Sequence, residues 1–408
     1  MNAIQKPGHD TAGRILIPGH PGADDSVTYL VTITRCRNYD LNEVRAAVAA
    51  SLEPLGGIGK FVGKGQRVLV KPNLLASRSP EAAVTTHPAV VQAVVEEVQK
   101  AGGVAVIGDS PGGRNIGSSY ERLLKRTGMM SVVEATGCEW VSFDDSVVDV
   151  QAPDAKSFKR FTVGKAVIDA DRVIVLPKLK THQLTYYTGA VKIVYGYIPG
   201  LLKAEYHLHT GTDAETFSDL LLDLHGALPP TLAIMDAVVG MEGQGPSNGT
   251  PREIGLILAG ENCHALDMVA CSIIGFDPKA VPTVRKAGER GVGPQDIGEV
   301  LISGESIENV RVQDFAKPQT MILVKIPPSV LHAVGYLFAA RPSIRRSRCI
   351  SCGKCAEGCP PKAIRFIPGQ IPSIRYRHCI RCYCCQELCP EGAVEVAYPW
   401  IRRVLGGG

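Results

Sequence analysis

Long apolar runs, aromatic side chains and a strong charge of one sign are all scarce in this 408-residue chain. No stretch approaches the roughly 18 consecutive apolar residues that would span a bilayer. The first twenty-six residues repeat Gly, Pro, His and Asp without the charged-then-apolar order of a secretory leader, so they read as a flexible arm. Aromatic residues make up 6 %, and no groove-reading motif or aromatic platform accompanies the basic residues, which argues against nucleic acid. No G-x-G-x-x-G opens a helix with an acidic partner downstream, so a dinucleotide fold is not indicated. These absences lead us to expect a soluble, cytoplasmic protein; the apolar stretch Val330 to Ala340 with its flanking arginines reads as packing the small module onto the large one, with an amphipathic membrane-surface helix as the alternative. The remaining composition, 45 % apolar and 21 % charged, is ordinary for a globular protein of two or three units.

Cysteine is plentiful, and its spacing names a cofactor. Eight of the thirteen cysteines form two runs. Cys349-Ile-Ser-Cys352-Gly-Lys-Cys355-Ala-Glu-Gly-Cys359-Pro360 returns thirty positions later as Cys379-Ile-Arg-Cys382-Tyr-Cys-Cys385-Gln-Glu-Leu-Cys389-Pro390. This C-x2-C-x2-C-x3-C-P spacing is that of two-cluster bacterial ferredoxins, in which the fourth cysteine of each run serves the other cluster. We therefore expect two [4Fe–4S] clusters, one on Cys349, Cys352, Cys355 and Cys389, the other on Cys379, Cys382, Cys385 and Cys359. Zinc favours two separated C-x-x-C pairs closing one tetrahedron, and disulfides need an oxidising compartment. Cys384 falls off the ligand spacing and reads as a bystander, although its neighbours leave room for a ligand swap.

Charge divides along the chain. From Arg341 onward there are twelve Lys and Arg against four Glu, a balance of +8; the residues before it carry 32 basic and 36 acidic side chains, or −4. Part of that surplus offsets the negative clusters, and the rest suits an acidic electron donor. A merely solvated basic surface fits the count equally.

Between Val27 and Ser303 short β-branched runs alternate with helical stretches, predicting an α/β fold: a largely parallel sheet with flanking helices. Predicted strands are Val27 to Ile33, Arg67 to Val70, Val104 to Ile107, Arg172 to Leu176, Leu232 to Met235 and Ile254 to Leu258. Helices are predicted to begin at His87-Pro88, Thr212-Asp213 and Asn262. Residues 27–326 are assigned to this domain, 327–345 to an apolar connecting helix and linker, 346–398 to a small α+β ferredoxin-type module and 399–408 to a tail.

Polar residues follow four of the strands: Lys71-Pro-Asn73, Asp109-Ser-Pro-Gly-Gly113, Pro177-Lys178-Leu-Lys180-Thr-His182, and Asp236. In open α/β sheets the carboxyl ends of the strands form the ligand crevice. Any one of these residues has a structural explanation; together they predict a site. Its character is cationic, because no acidic residue falls between Asp171 and Glu205 while Arg172, Lys178, Lys180, Lys192 and Lys203 do. Such a pocket suits a carboxylate or phosphate. Candidates for catalysis are His182, His207, Lys180, Asp109 and Asp236. Candidates for substrate binding are Lys71, Asn73, Lys178, Lys192, His209 and Asn248. The three histidines leave a further metal open. Gly240 to Gly249 reads as a lid or substrate loop, or as an ordinary long turn.

The motifs Lys71-Pro-Asn-Leu-Leu75, Gly108-Asp-Ser-Pro-Gly112, Leu176-Pro-Lys-Leu-Lys-Thr-His182, Thr188-Gly-Ala-Val-Lys192, Met235-Asp-Ala-Val-Val-Gly-Met-Glu-Gly243 and Gly245-Pro-Ser-Asn-Gly249, with the two cysteine runs, resemble the family known as domain of unknown function 362, in its version with a C-terminal ferredoxin module. The resemblance spans about Val27 to Val396. One departure is Ile193, where the family pattern has Asn, so a carboxamide role there is not carried over. The resemblance implies the domain layout and the site but no substrate.

The expected function is a reductase that passes single electrons from the module to an anionic small molecule in the α/β pocket, with an external ferredoxin or flavodoxin as donor. The alternatives are an electron carrier whose α/β domain docks a partner protein, and a redox sensor of a ligand site.

Overall fold

The computed structural model describes residues 8–9, 15–16, 29–112, 117–200, 202–211, 213–322 and 340–397. All but the last residue of the apolar stretch expected at Val330 to Ala340 lies outside these, as does the tail from Pro399.

Ten strands build the central sheet: β1 (Tyr29–Arg35), β2 (Arg67–Pro72), β3 (Val104–Asp109), β4 (Glu139–Ser142), β5 (Arg172–Leu176), β6 (Lys178–His182), β7 (Tyr186–Thr188), β8 (Leu232–Glu242), β9 (Thr250–Gly260) and β10 (Val300–Gly304). Their order is β10-β1-β9-β8-β5-β2-β3-β4, with β6 pairing with the distal half of β8 and β7 pairing with β6. Pairing is parallel from β4 through β8 and antiparallel at β8–β9 and β9–β1. The fold is α/β, a mostly parallel sheet with flanking helices.

The apolar runs explain the layering. Along β5, Val173 and Val175 enter one apolar cluster while Ile174 and Leu176 enter the other. Side chains alternate across a strand, so a run that is apolar throughout buries both faces. Helices α1 (Leu41–Leu52) and α2 (Pro88–Lys100) cover one face with Val44, Val48, Val90 and Val94. Helices α4 (Ala214–Ala227) and α5 (Cys263–Ile273) cover the other with Phe217, Leu221, Leu266 and Val269, and α3 (Leu202–Thr210) lies beside α4. Local signals set the helix starts. His87 accepts from the Ala89 N–H with Pro88 next in line, and Asp213 and Asn262 cap α4 and α5 through their side chains. Cys263 and Cys271 are buried apolar side chains, as expected.

Three boundaries differ from expectation. The N-terminal arm contributes two short strands, Gly8–His9 and Ile15–Leu16, and Ile15 pairs with Val150 in a separate four-stranded sheet. The open edge they join is supplied by Val147–Gln151, far away in sequence, which local composition cannot foresee. The glycine-rich stretch from Gly240 is partly strand: β8 runs to Glu242 and β9 resumes at Thr250. The intervening turn is seated against β6, not hung as a lid. Thr181 donates its hydroxyl to the Gly243 carbonyl (3.1 Å) and accepts the Gly245 N–H (3.2 Å), and a Cβ at Gly245 would strike the Thr181 backbone carbonyl. Finally, the first strand of the C-terminal module, Arg341–Ile344, falls inside the expected linker and pairs antiparallel with Val394–Ala397.

The module repeats itself. Short helices Lys354–Glu357 and Cys384–Glu387 occupy matching places, and left-handed backbone recurs thirty positions apart at Ser351 and Arg381, Gly353 and Tyr383, and Lys362 and Gly392.

Candidate functional site

The carboxyl ends of β2 and β3 meet in register, Val70 beside Ile107, which brings Lys71 and Asp109 together. Lys71 Nζ lies 2.8 Å from Asp109 Oδ1, with both side chains almost wholly buried. Asp109 also accepts the Leu74 N–H and the Ser110 N–H, each at 2.8 Å. Burial pushes the Lys71 ammonium below its usual range, and the Asp109 charge opposes that shift. Gly196 sits directly against this pair, and a Cβ there would meet Lys71 Nζ and, at 2.7 Å, Asp109 Oδ1. The glycine lets the backbone close over a buried ion pair.

That pair floors a cavity of about 710 Å3, part of it open to solvent. Lys71, Asn73, Asp109, Ser110, Lys192 and Lys203 face it from the sheet domain, with His207 on α3. Gly358, Cys384, Glu387 and Leu388 close it from the cysteine module. Lys203 donates to the Ser110 carbonyl (2.8 Å) and hydroxyl (3.1 Å), and burial, partly countered by Asp109 and Asp144, brings its ammonium down to about 8. Lys192 holds its ammonium over the Tyr195 and Phe217 rings, at 5.7 and 5.9 Å. His207 stacks on Phe217 at 4.6 Å and lowers its pKa to about 3, chiefly by burial, so it is neutral near pH 7. Its Nδ1 is buried without a hydrogen-bond partner.

Several predicted site residues lie elsewhere. Lys178 and Asp236, opposite each other on β6 and β8, form a second buried pair at 2.8 Å. Tyr39 donates to Asp236 (2.9 Å), and the His87 N–H does the same (2.9 Å). These polar groups satisfy one another and do not line the cavity. Lys180 reaches Asn73 Oδ1 (3.0 Å) and the Val84 carbonyl (2.7 Å) behind the wall; burial and the Lys192 charge lower it to about 7. His182 is locked: Nδ1 accepts the Leu184 and Thr185 N–H groups, which leaves Nε2–H to donate to Glu387 Oε1 at 3.0 Å. Burial and Lys192 lower its pKa to about 4, so it is neutral near pH 7 and its ring bridges the two units. His209 is exposed, because two residues along a helix turn it away from His207. Asn248 donates to the Gly392 (3.2 Å) and Val394 (2.6 Å) carbonyls, fastening the module instead of binding substrate. Arg172, at the amino end of β5, bonds the Phe61 and Asp171 carbonyls at the opposite side of the sheet.

Sequence reasoning missed Ser110, Tyr195, Glu387 and Cys384 as wall residues and noted Lys203 only as one charge in a basic stretch. Glu387 sits inside a cysteine run, where a carboxylate reads as surface. Burial pushes its pKa up, but Lys192 and the His182 N–H prevail and hold it well below the carboxylate range. Its helix is docked by Leu388, whose methyl groups occupy the space that a Cβ on Gly112 or Gly358 would need.

Within the module the cysteines gather across the two runs. Cys359, Cys379, Cys382 and Cys385 face one hollow, and Cys349, Cys352, Cys355 and Cys389 face another. Among the described residues no group of three or more His, Cys, Asp or Glu closes tightly enough to hold a single ion. Four thiols facing one hollow are the ligand number of an iron–sulfur cluster. Cys359 and Cys389, at matching places, each accept a backbone N–H on sulfur, from Ala363 (3.2 Å) and Ala393 (3.1 Å).

An α/β domain with buried lysine–aspartate pairs, closed on one side by a ferredoxin-type module, defines an iron–sulfur protein of two unlike units. The chain belongs to the family described as domain of unknown function (DUF362), whose model matches residues 68–272, and a 4Fe-4S dicluster domain matches 348–393. A thylakoid-associated protein of Synechocystis sp. is 38 % identical over 264 residues, which is 65 % of this chain and 80 % of that protein. The apoprotein structure of lactate racemase from Thermoanaerobacterium thermosaccharolyticum gives a TM-score of 0.39 at 11 % identity, over 63 % of this chain and 59 % of its own. That likeness is too low to bear on function. Among the described residues no helix is long and apolar enough to cross a membrane.

Proposed function

We propose that this protein is a reductase in which a ferredoxin-type module holding two [4Fe–4S] clusters, ligated by the crossed cysteine sets, delivers single electrons to a small anion bound between module and sheet. The observation that carries the reading is the shared cavity: the cationic rim and the helix of the second cysteine run are two walls of one space. A bound cluster supplies low-potential single electrons, within a range of about −700 to +450 mV.

The chain's own residues then divide the remaining work. Lys192 and His207 hold the anion; Lys71, braced by Asp109, keeps the floor rigid. Proton supply falls to Lys203, since a half-buried lysine brought down to about 8 is still protonated at neutral pH and gives up its proton readily. His182 and Glu387 position the module's helix against the cavity. The external donor, a ferredoxin or flavodoxin, would approach the other set, where Cys352 is exposed and Ile350 is 62 % exposed beside Arg346 and Arg348. Their charge suits an acidic partner.

Anaerobic EPR of dithionite-reduced protein, titrated with a pool of small carboxylates and organophosphates, tests the proposal. Reoxidation of the signals by one component, lost in Lys192→Met, is the expected result. Signals that no component alters would leave an electron carrier as the better description.

A further inference from the structure

Resting on the reading of this cavity as the substrate site, we infer that Asn73 is a specificity-determining donor: its amide N–H2 group meets an acceptor oxygen of the bound anion, and Lys180 is the positioning residue that turns the amide that way. Three lysines of the sheet, Lys71, Lys178 and Lys180, are almost wholly buried, and their partners differ. Lys71 meets Asp109 and Lys178 meets Asp236, each at 2.8 Å. Lys180 makes no ion pair among the described residues. Its Nζ gives one N–H to the Val84 carbonyl at 2.7 Å and another to Asn73 Oδ1 at 3.0 Å. A carboxamide is an acceptor at one end and a double donor at the other. Holding Asn73 by its oxygen therefore commits the nitrogen to the opposite side. This is so whether Lys180 is charged or neutral, because either form has the two hydrogens that these bonds use.

The nitrogen opens on the cavity. Asn73 lines that space and is partly exposed, whereas Lys180 stays behind the wall. Among the described residues Asn73 Nδ2 donates to nothing, and it is not buried. Asn248 is the contrast, since its amide hydrogens are taken by carbonyls of the module. The backbone of Asn73 is fixed as well. Its N–H donates to Thr86 Oγ1 at 2.8 Å, its carbonyl accepts the Thr86 N–H at 3.0 Å, and the Thr86 hydroxyl donates to the Leu176 carbonyl at 2.6 Å. The donor is thus in place before a ligand arrives, which lowers the ordering cost of binding. Lys192 likewise makes no ion pair among the described residues, and its ammonium rests over aromatic rings. A charged and a neutral donor in one wall suit an oxyanion: the ammonium attracts it as a point charge, and the planar amide adds direction.

The test is anaerobic titration calorimetry on the full-length, cluster-loaded protein, with crotonate, pyruvate and inorganic phosphate as probes and thermal melting followed alongside. Asn73→Asp keeps an oxygen for Lys180 but turns the cavity-facing donor into an acceptor. Binding of the tightest probe should weaken about tenfold or more, while the melting temperature does not fall, since Lys180 gains a carboxylate. Lys180→Met, which frees the amide to turn, should weaken binding about threefold in the wild type and have no further effect in the Asn73→Ala background. A bond that only braces the fold would lower melting and binding together, and Lys180→Met would act in both backgrounds; that result overturns the assignment. Should Lys192→Met weaken every probe while Asn73→Asp leaves all of them unchanged, the cavity remains the site and the inference about Asn73 is wrong. Should no probe show binding that depends on Lys192, the reading of the cavity falls and the inference with it.

Discussion

The sheet domain and the cysteine module differ in what holds them together. The sheet buries a separate apolar cluster on each face, built from helices and strands that each contribute several aliphatic side chains. The main cluster of the module comprises Cys355, Ile364, Cys385, Cys389, Ala393 and Val394, three of them cysteines. A unit of that size buries too little hydrocarbon to offset the ordering of its own backbone. Its sulfur atoms occupy the places where a larger domain would carry leucine. The large unit therefore folds by excluding water, whereas the small one folds by binding metal.

The comparison breaks most visibly if iron is withdrawn. Chelation under reducing conditions should unfold the module and leave the far-UV dichroism of the sheet nearly intact. Cys389→Ala should abolish the EPR signal of the cluster started by Cys349, and Cys359→Ala that of the cluster started by Cys379. Damage confined to the mutated run would mean the sets are not crossed. The sheet should show its own weakness at its buried ion pair. Asp236→Ala strands Lys178 in the interior and should cost about 3–5 kcal/mol in urea unfolding, while the module's iron content is unchanged. A smaller effect is expected where the units meet. Asn248→Ala loses two hydrogen bonds to module carbonyls, about 1–3 kcal/mol, and should speed proteolysis of the module without shifting the melting of the sheet.

The finest contrast concerns pH. The Lys203 ammonium, brought down to about 8, is present below that pH and lost above it, so proton-dependent turnover should fall as pH rises through 8. Lys203→Arg, whose guanidinium keeps its proton, should lower turnover and remove that limb. Stability should move the other way between about pH 8 and the ordinary lysine range near 10.5, because the unfolded chain binds more protons there. Equal pH profiles for the wild type and the Arg variant would remove Lys203 from the chemistry.

Legibility followed the same division. The cysteine spacing specified the cofactor class because ligand geometry is written locally, within a few residues. Strand β5 was readable to the residue from Arg172-Val-Ile-Val-Leu176, since an unbroken apolar run has few other uses. Lys71 and Asp109 emerged from position at strand ends, and Lys192 from the basic stretch between Asp171 and Glu205. What escaped the sequence were partners brought in from afar. His182 reads as a proton donor until Glu387, 205 positions away, is seen to hold it. Lys178 and Asp236 read as rim charges until their mutual pairing hides both. Asn248 reads as a ligand-binding amide until the module's carbonyls take its hydrogens.

The crossing of the two cysteine runs also has a temporal meaning. As the chain is made, Cys349, Cys352 and Cys355 emerge together, yet the hollow they face is closed by Cys389, after a whole further run has been synthesised. The second hollow borrows Cys359 from the earlier run and so depends on both as well. Neither can be filled in advance of the other. A chain cut between the runs would keep Cys349, Cys352, Cys355 and Cys359 but could close neither hollow.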